Sequence, residues 1–292
     1  MARVLLSTPM LEGCLGALAG HELIAGEPGS DAAAQGLLCP PTVPVDARAI
    51  GRMGGLRVIA VAGAGADAID QAAAGARGIT ILTAGEALVE TTADLAFGLI
   101  IWAARQLGET ERELREGRWG GWDFARTAGS DVHGATLGLV GFGAIGAAVA
   151  RRAAGFAMNV IHHTRTDTGE PGFTGTLDEL LAGSDIVSLH VPLTEQTRGL
   201  IDGRRLALMP AGAVLVNTAR GAVVDEAALA EALLSGHLGG AGLDVFAHEP
   251  AVSPRLLAAP RTVLLPHVGS ATAATRRAML RLAAERLAAA LG

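Results

Sequence analysis

Short apolar runs at residues 4–6, 58–62, 79–82, 137–140, 160–161, 186–189, 214–216, 242–245 and 263–265 alternate with alanine-rich stretches of helical length. Most of these runs are apolar at successive positions, with no strict two-residue alternation. That fits strands buried on both faces, as in parallel sheets covered by helices. The pattern predicts an α/β chain. Residues 92–116 predict one long helix, apolar in its first half and charged through Glu109, Glu111, Arg112 and Glu113, joining two sets of strands. Residues 271–291, rich in Ala, Leu and Arg, predict a closing helix. Between the two sets, Gly117-Arg118-Trp119-Gly120-Gly121-Trp122-Asp123 reads as an exposed loop that carries two of the three tryptophans. Indoles on a loop call for a covering surface, either a subunit contact or a cleft edge, unless both rings fold back onto their own domain.

Composition narrows the partners. Half of the 292 residues are apolar, and a net charge of −6 is spread along the chain without a run of like charges. Neither nucleic acid nor an anionic membrane is expected as a partner, and small molecules are. All 23 basic residues other than histidine are arginine, and tyrosine is absent, which reflects coding bias more than chemistry. The most hydrophobic stretch, 95–104, lies between Asp94 and Arg105 and falls short of the roughly 18 residues of a membrane span. No bilayer crossing is therefore expected. The N-terminus enters the strand-like run Arg3-Val4-Leu5-Leu6 directly, which reads as the absence of an export signal and points to the cytoplasm. Cys14 and Cys39 are too few for a disulfide framework or a zinc site, and no metal is expected.

The strand 137–140 runs into Gly141-Phe142-Gly143-Ala144-Ile145-Gly146 and then into a helical segment, which is the context a dinucleotide-binding G-x-G-x-x-G requires. Gly141 permits the tight turn, Gly143 lets the backbone approach a diphosphate, and Gly146 lets the helix pack on the strand. The free N–H groups and positive end of that helix then face the phosphates. The next strand ends His162-His163-Thr164-Arg165-Thr166, where an NAD site would place an acidic residue on the ribose. Neutral Thr164 followed by Arg165 suits a 2′-phosphate, so NADP is favoured as cofactor. Asp167, at an acceptable spacing, keeps NAD as the alternative.

His162 and His163 are adjacent on a strand and point to opposite faces, so they cannot chelate together. His190, at the end of another strand, is either a neighbour of the cofactor or a structural histidine. Three further strands are each followed by polar residues: Asn217-Thr218-Ala219-Arg220-Gly221, Asp244-Val245-Phe246-Ala247-His248-Glu249-Pro250 and Pro266-His267-Val268-Gly269. A nicotinamide enzyme acting on an alcohol and carbonyl needs a proton donor and acceptor, a group that orients it, and a cation for the substrate, and these segments offer all three.

These motifs, in this order after the glycine loop, resemble the D-isomer-specific 2-hydroxyacid dehydrogenase family. The resemblance runs from about Gly36 to Arg277 and includes Thr92-Ala93-Asp94-Leu95 and Asp131-Val132-His133-Gly134. It implies two doubly wound parallel-sheet domains: a Rossmann-type coenzyme domain, 92–269, inserted into a smaller flavodoxin-like substrate domain, 1–91 plus 270–292. It also implies a small 2-oxo or D-2-hydroxy acid as substrate and a homodimer. Position by position, Arg220 is similar to the arginine that grips the 2-oxo acid, Glu249 to the carboxylate paired with the histidine, and His267 to the general acid/base. Asp244 resembles a residue near the nicotinamide carboxamide. Gly63, Ala64 and Gly65 resemble the loop whose N–H groups receive the substrate carboxylate. Pro192, Thr197, Ala219 and Gly269 are placed along the cofactor together with Gly141, Gly143, Ala144, Ile145, Gly146, Thr164 and Arg165. Glu249 beside His267 should favour the imidazolium, so that Glu249→Gln moves the acid limb of reduction to lower pH.

The chain departs from the family pattern in Thr83-Ala84-Gly85, where Asn-Thr-Pro is common, and in Ala66, where tyrosine is common. Arg165 together with the Arg115–Trp122 loop looks most like the glyoxylate and hydroxypyruvate reductase branch. Two alternatives stand beside that reading. One is a phosphoglycerate dehydrogenase-type enzyme without a regulatory domain; the other is a nucleotide-sensing, corepressor-like module without turnover.

Overall fold

A computed structural model of the chain describes residues 1–7, 13–125 and 129–292. In chain order the elements are β1 (Arg3–Leu6), β2 (Glu22–Ala25), β3 (Gly36–Cys39), α1 (Ala47–Arg52), β4 (Val58–Val61), α2 (Gln71–Ala76), β5 (Thr80–Thr83), α3 (Val89–Ala104), α4 (Leu107–Arg115), β6 (Thr136–Val140), α5 (Ala144–Ala154), β7 (Asn159–His163), α6 (Leu177–Ala182), β8 (Ile186–Leu189), α7 (Gly203–Leu206), β9 (Val214–Asn217), α8 (Glu226–Leu234), β10 (Gly240–Leu243), α9 (Pro254–Leu257), β11 (Thr262–Leu264) and α10 (Ala273–Leu291). They fall into two compact units, Met1–Thr91 with Ser270–Gly292, and Thr92–Gly269.

The first unit is a parallel sheet of order β2-β1-β3-β4-β5. Successive strand residues feed opposite cores, as a pleat dictates. Leu5, Leu37 and Ile59 pack with Ile50 of α1 and Ala74 of α2. Val4, Leu38 and Ala60 pack with Ala283, Ala284, Leu287 and Leu291 of α10. Two strands escape the sequence pattern. β2 is a mostly exposed edge strand whose short run Leu23-Ile24-Ala25 follows Glu22, and β3 is only Gly-Leu-Leu-Cys. α10 begins at Ala273, two residues later than expected, because the Thr272 side chain accepts the Thr275 N–H and caps it there.

The second unit is a parallel sheet of order β11-β10-β9-β8-β6-β7, with a single parallel bridge from His162 to Phe173 beyond β7. The order reverses between β6 and β8, the point at which doubly wound sheets open a crevice at their carboxyl ends. Gly240 and Gly242 share the face of β10 toward α3. A Cβ on Gly242 would lie 3.0 Å from the Leu99 Cβ, so the helix sits directly on the strand.

That packing explains why α3 is so apolar. The ten-residue estimate understates it: the helical segment Gly85–Ala104 has 20 residues, a hydropathy of 1.5 and half of its span buried, long and apolar enough by length and composition to cross a membrane. The long helix expected over 92–116 is instead two. Gln106 adopts φ 50° and separates α3 from α4. The Ala104 carbonyl accepts the Ser130 N–H, and Gly129 crowds it so closely that a Cβ would fall 1.9 Å from that oxygen. The residues that follow, Trp119 and Trp122, are 57% and 77% exposed, so their rings do not fold back into the core.

Candidate functional site

Because every strand of the second sheet runs parallel, the glycine loop, the Asn217 turn, Asp244 and the His267 loop all emerge at one edge. The Asn217 side chain, buried at the end of β9, accepts the Ala219 N–H and donates to the Arg220 carbonyl. These two bonds fold 217–220 into a tight turn. Arg220 is half-buried there and donates to the Ala219 carbonyl at 2.7 Å.

The next strand end fixes the histidine. Asp244 is 1% exposed, and its two oxygens accept the Val268 and Gly269 N–H groups at 2.7 and 2.8 Å. Its own carbonyl accepts the His267 N–H at 2.9 Å. His267 has φ 54°, a left-handed conformation that a side chain rarely adopts and that costs on the order of 1 kcal/mol. Bonds on both sides of it come from Asp244. Burial raises the Asp244 carboxyl above its ordinary range, while the two backbone N–H groups oppose that shift.

Glu249 and His267 meet directly. Glu249 Oε2 lies 2.8 Å from His267 Nδ1, and Oε1 accepts the Phe246 N–H at 2.9 Å. A carboxylate on Nδ1 holds that nitrogen protonated and leaves Nε2 to exchange a proton on the other side of the ring. Arg220 joins this pair through its backbone. A Cβ on the following Gly221 would lie 1.9 Å from Phe246 C and 2.3 Å from Ala247 N, so the turn after β9 rests on the turn that carries Glu249.

The glycine loop fits a diphosphate. Gly141, at φ 94°, passes under His190, where a Cβ would strike the His190 carbonyl at 2.6 Å. Gly146 approaches the Gly141 carbonyl just as closely. A Cβ on Gly143 would meet nothing within 4 Å, and Gly143 and Ala144 are exposed, with half-exposed Ile145 next in the first turn of α5. Six other helices carry an Asp or Thr side-chain cap, whereas α5 starts at Gly143 with none. Its first N–H groups are therefore turned to an open surface, the arrangement that receives an anion. The Thr218 hydroxyl is buried without a partner in the turn after β9. The motif signalled this residue, but no role was expected for it.

Around the loop, Thr164 Oγ1 donates to the Thr166 carbonyl, and Asp167 accepts the Gly169 N–H, closing its own turn. Arg165 is exposed and makes no hydrogen bond or ion pair among the described residues. Thr197 Oγ1 donates to the Pro192 carbonyl and accepts the Thr194 N–H, so it shapes the loop after β8. Gly269 is held by Asp244, and its carbonyl accepts the Thr92 hydroxyl. His190 pairs with Ser188 Oγ at 2.9 Å, and burial pushes it down to about 4. His190 is thus tied to its own strand through Ser188, beside the glycine loop. His162 is buried against Phe142, whereas His163 is half-buried and bonds the Thr174 carbonyl. Among the described residues no group of three His, Cys, Asp or Glu could hold a metal.

In the first unit, Gly63 lies against Pro41, and its carbonyl accepts the Ala84 N–H. The N–H groups of Ala64 and Gly65 take no backbone partner among the described residues, which leaves two donors for an anionic oxygen.

Residues 97–269 match the profile of the D-isomer specific 2-hydroxyacid dehydrogenase, NAD binding domain. A glyoxylate reductase of Korarchaeum cryptofilum is 46% identical over 254 residues, covering 84% of this chain and 76% of that protein. The chain belongs to the D-isomer-specific 2-hydroxyacid dehydrogenase family. Solved relatives agree over most of their length. The crystal structure of a glyoxylate reductase from Paecilomyes thermophila superposes with a TM-score of 0.89 at 38% identity, covering 98% of this chain and 94% of that one. That of an NADPH-dependent glyoxylate/hydroxypyruvate reductase from Sinorhizobium meliloti, in complex with NADP and malonate, gives 0.88 at 35% identity, covering 97% and 91%. This dehydrogenase is thus an oxidoreductase that transfers a hydride between a nicotinamide cofactor and a small 2-oxo or 2-hydroxy acid.

Proposed function

We propose that the chain reduces glyoxylate, hydroxypyruvate or a similar 2-oxo acid with NADPH. The Glu249–His267 pair, held at the sheet edge where the glycine loop opens, carries this reading. The cofactor diphosphate is assigned to Gly141, Gly143 and the first turn of α5, and the ribose to Thr164 and Arg165. An unengaged Arg165 beside an Asp167 that closes its own turn favours a 2′-phosphate over a bare ribose.

When bound, the reduced nicotinamide supplies the hydride. His267 delivers a proton from Nε2 to the carbonyl oxygen, where negative charge develops. Glu249 keeps the ring in the orientation and tautomer this needs. Arg220 offers a planar fork that matches a carboxylate and the adjacent carbonyl with two parallel bonds. Asp244 holds the loop of His267 in its left-handed conformation, so the imidazole is oriented before the acid arrives.

The exposed apolar surface around Trp102, Leu114, Trp119 and Trp122 lines a groove of 640 Å³, and we assign it to the contact between two copies of the chain. The functional reading is tested by following nicotinamide oxidation with a panel of 2-oxo acids and both cofactors. Turnover of glyoxylate or hydroxypyruvate with NADPH supports it. Cofactor binding without turnover of any acid sinks it and points to a sensor.

A further inference from the structure

Glu226 stands at the start of α8, where Asp225 already caps the helix by accepting the Ala227 and Ala228 N–H groups. The Glu226 carboxylate is directed elsewhere. Its Oε1 accepts the N–H of Ala247 at 2.7 Å, 21 residues away. Ala247 follows Phe246, whose N–H is bonded to Glu249, and that carboxylate bonds His267. The Ala247 N–H is part of the same backbone surface on which Gly221 rests. One acceptor therefore ties the segment that begins with Arg220 and enters α8 to the turn that carries Glu249.

We propose that Glu226 is a positioning residue for catalysis, a clamp that sets the Glu249 turn against the Arg220 loop and so holds the Glu249–His267 pair in register with the arginine. It rests on the reading of Glu249 and His267 as the proton-transfer pair. What the clamp needs is an acceptor oxygen at full glutamate length; charge is secondary. A helix-start role for Glu226 makes the opposite demand, since a negative charge near the first turn stabilises a helix whatever its reach.

Three variants separate these. Glu226→Gln keeps an acceptor at the same reach and loses the charge. Glu226→Asp keeps the charge and withdraws the acceptor by one methylene. Glu226→Ala loses both. The clamp predicts kcat for 2-oxo acid reduction near wild type in Gln and roughly 10- to 100-fold lower in Asp and Ala, with KM for NADPH unchanged in all three. Near wild-type rates in Asp, with loss in Gln, overturn it.

The second measurement is a double-mutant cycle with Glu249→Gln. Once Glu249 can no longer serve His267, Glu226→Asp should lower kcat by less than threefold further. Losses that multiply in full show that Glu226 acts independently of the pair and end the proposal. If Glu249→Gln itself leaves kcat unchanged, the underlying reading of the pair fails, and that result is distinct from failure of the clamp.

Discussion

The carboxylate of Glu249 is shared between the Nδ1 of His267 at 2.8 Å and the N–H of Phe246 at 2.9 Å. Two donors face two oxygens, and an amide has only one. Glu249→Gln must therefore leave either the turn or the imidazole without its acceptor. We expect kcat for reduction to fall about 10²- to 10⁴-fold, the span associated with a positioned acid/base, with little change in NADPH affinity. Steady-state kinetics beside a cofactor titration would check this, and a variant within twofold of wild type would remove Glu249 from proton transfer.

The same donor count applies to Asp244, which serves the N–H groups of Val268 and Gly269. Asp244→Asn leaves one of them buried without a partner, at about 1–3 kcal/mol, and loosens the left-handed backbone of His267. A lower thermal midpoint together with a lower kcat is expected. Loss of cofactor affinity alone, with stability intact, would show that Asp244 acts on the nicotinamide and not on the histidine loop.

Residues such as Arg220, Glu249 and His267 are legible in the sequence because a parallel sheet gathers all its carboxyl ends on one edge. A polar residue after an apolar run is then a candidate by topology alone. The α/β class is legible for the related reason that strands buried on both faces lose their alternation. β2 is not, since an exposed edge strand beginning with Glu22 has no reason to be apolar throughout. The break at Gln106 is not either, because it sits beside Ala104, whose carbonyl is taken by the Ser130 N–H from a distant segment. Glu226 left no signal: an acid in a first helical turn is ordinary, and its acceptor role exists only once two loops have been packed together.

His190 gives a pH dependence of stability. Its ordinary value of 6.5 is lowered to about 4 by burial, so between those values the unfolded chain binds a proton that the folded chain refuses. Stability should thus fall as pH drops from 6.5 toward 4 and recover as it rises, by about 3 kcal/mol for this one group. His190→Gln preserves a partner for Ser188 Oγ and removes the titration. Chemical denaturation across this window should give a shallower pH slope in the variant than in wild type; parallel slopes would refute the assignment.

Arg165 bears on the choice of nicotinamide. A guanidinium bound to a phosphate through charge-assisted bonds contributes about 1.5–3 kcal/mol, so Arg165→Ser should raise KM for NADPH roughly 10- to 100-fold. KM for NADH should stay within about threefold, because a bare ribose gives the guanidinium no charged partner. Equal losses with both cofactors would mean that Arg165 shapes the loop without reading the 2′ position, and equal affinities in wild type would overturn the NADP preference itself.

Trp119 and Trp122 test the subunit contact. They line the groove with Trp102 and Leu114, and Trp122 packs edge-on against Phe124, which is itself 87% exposed. Removing an indole from water contributes on the order of 2 kcal/mol, and a symmetric contact uses each ring twice. The Trp119→Ser, Trp122→Ser double variant should weaken dimerisation by several orders of magnitude. Sedimentation velocity at micromolar concentration should then show a dimer for wild type and a monomer for the variant. Because the groove lies away from the Glu249–His267 pair in sequence and in secondary structure, the monomer should keep its circular dichroism spectrum and bind NADPH, which separates loss of contact from loss of fold. A dimer that survives both substitutions places the subunit contact on another face.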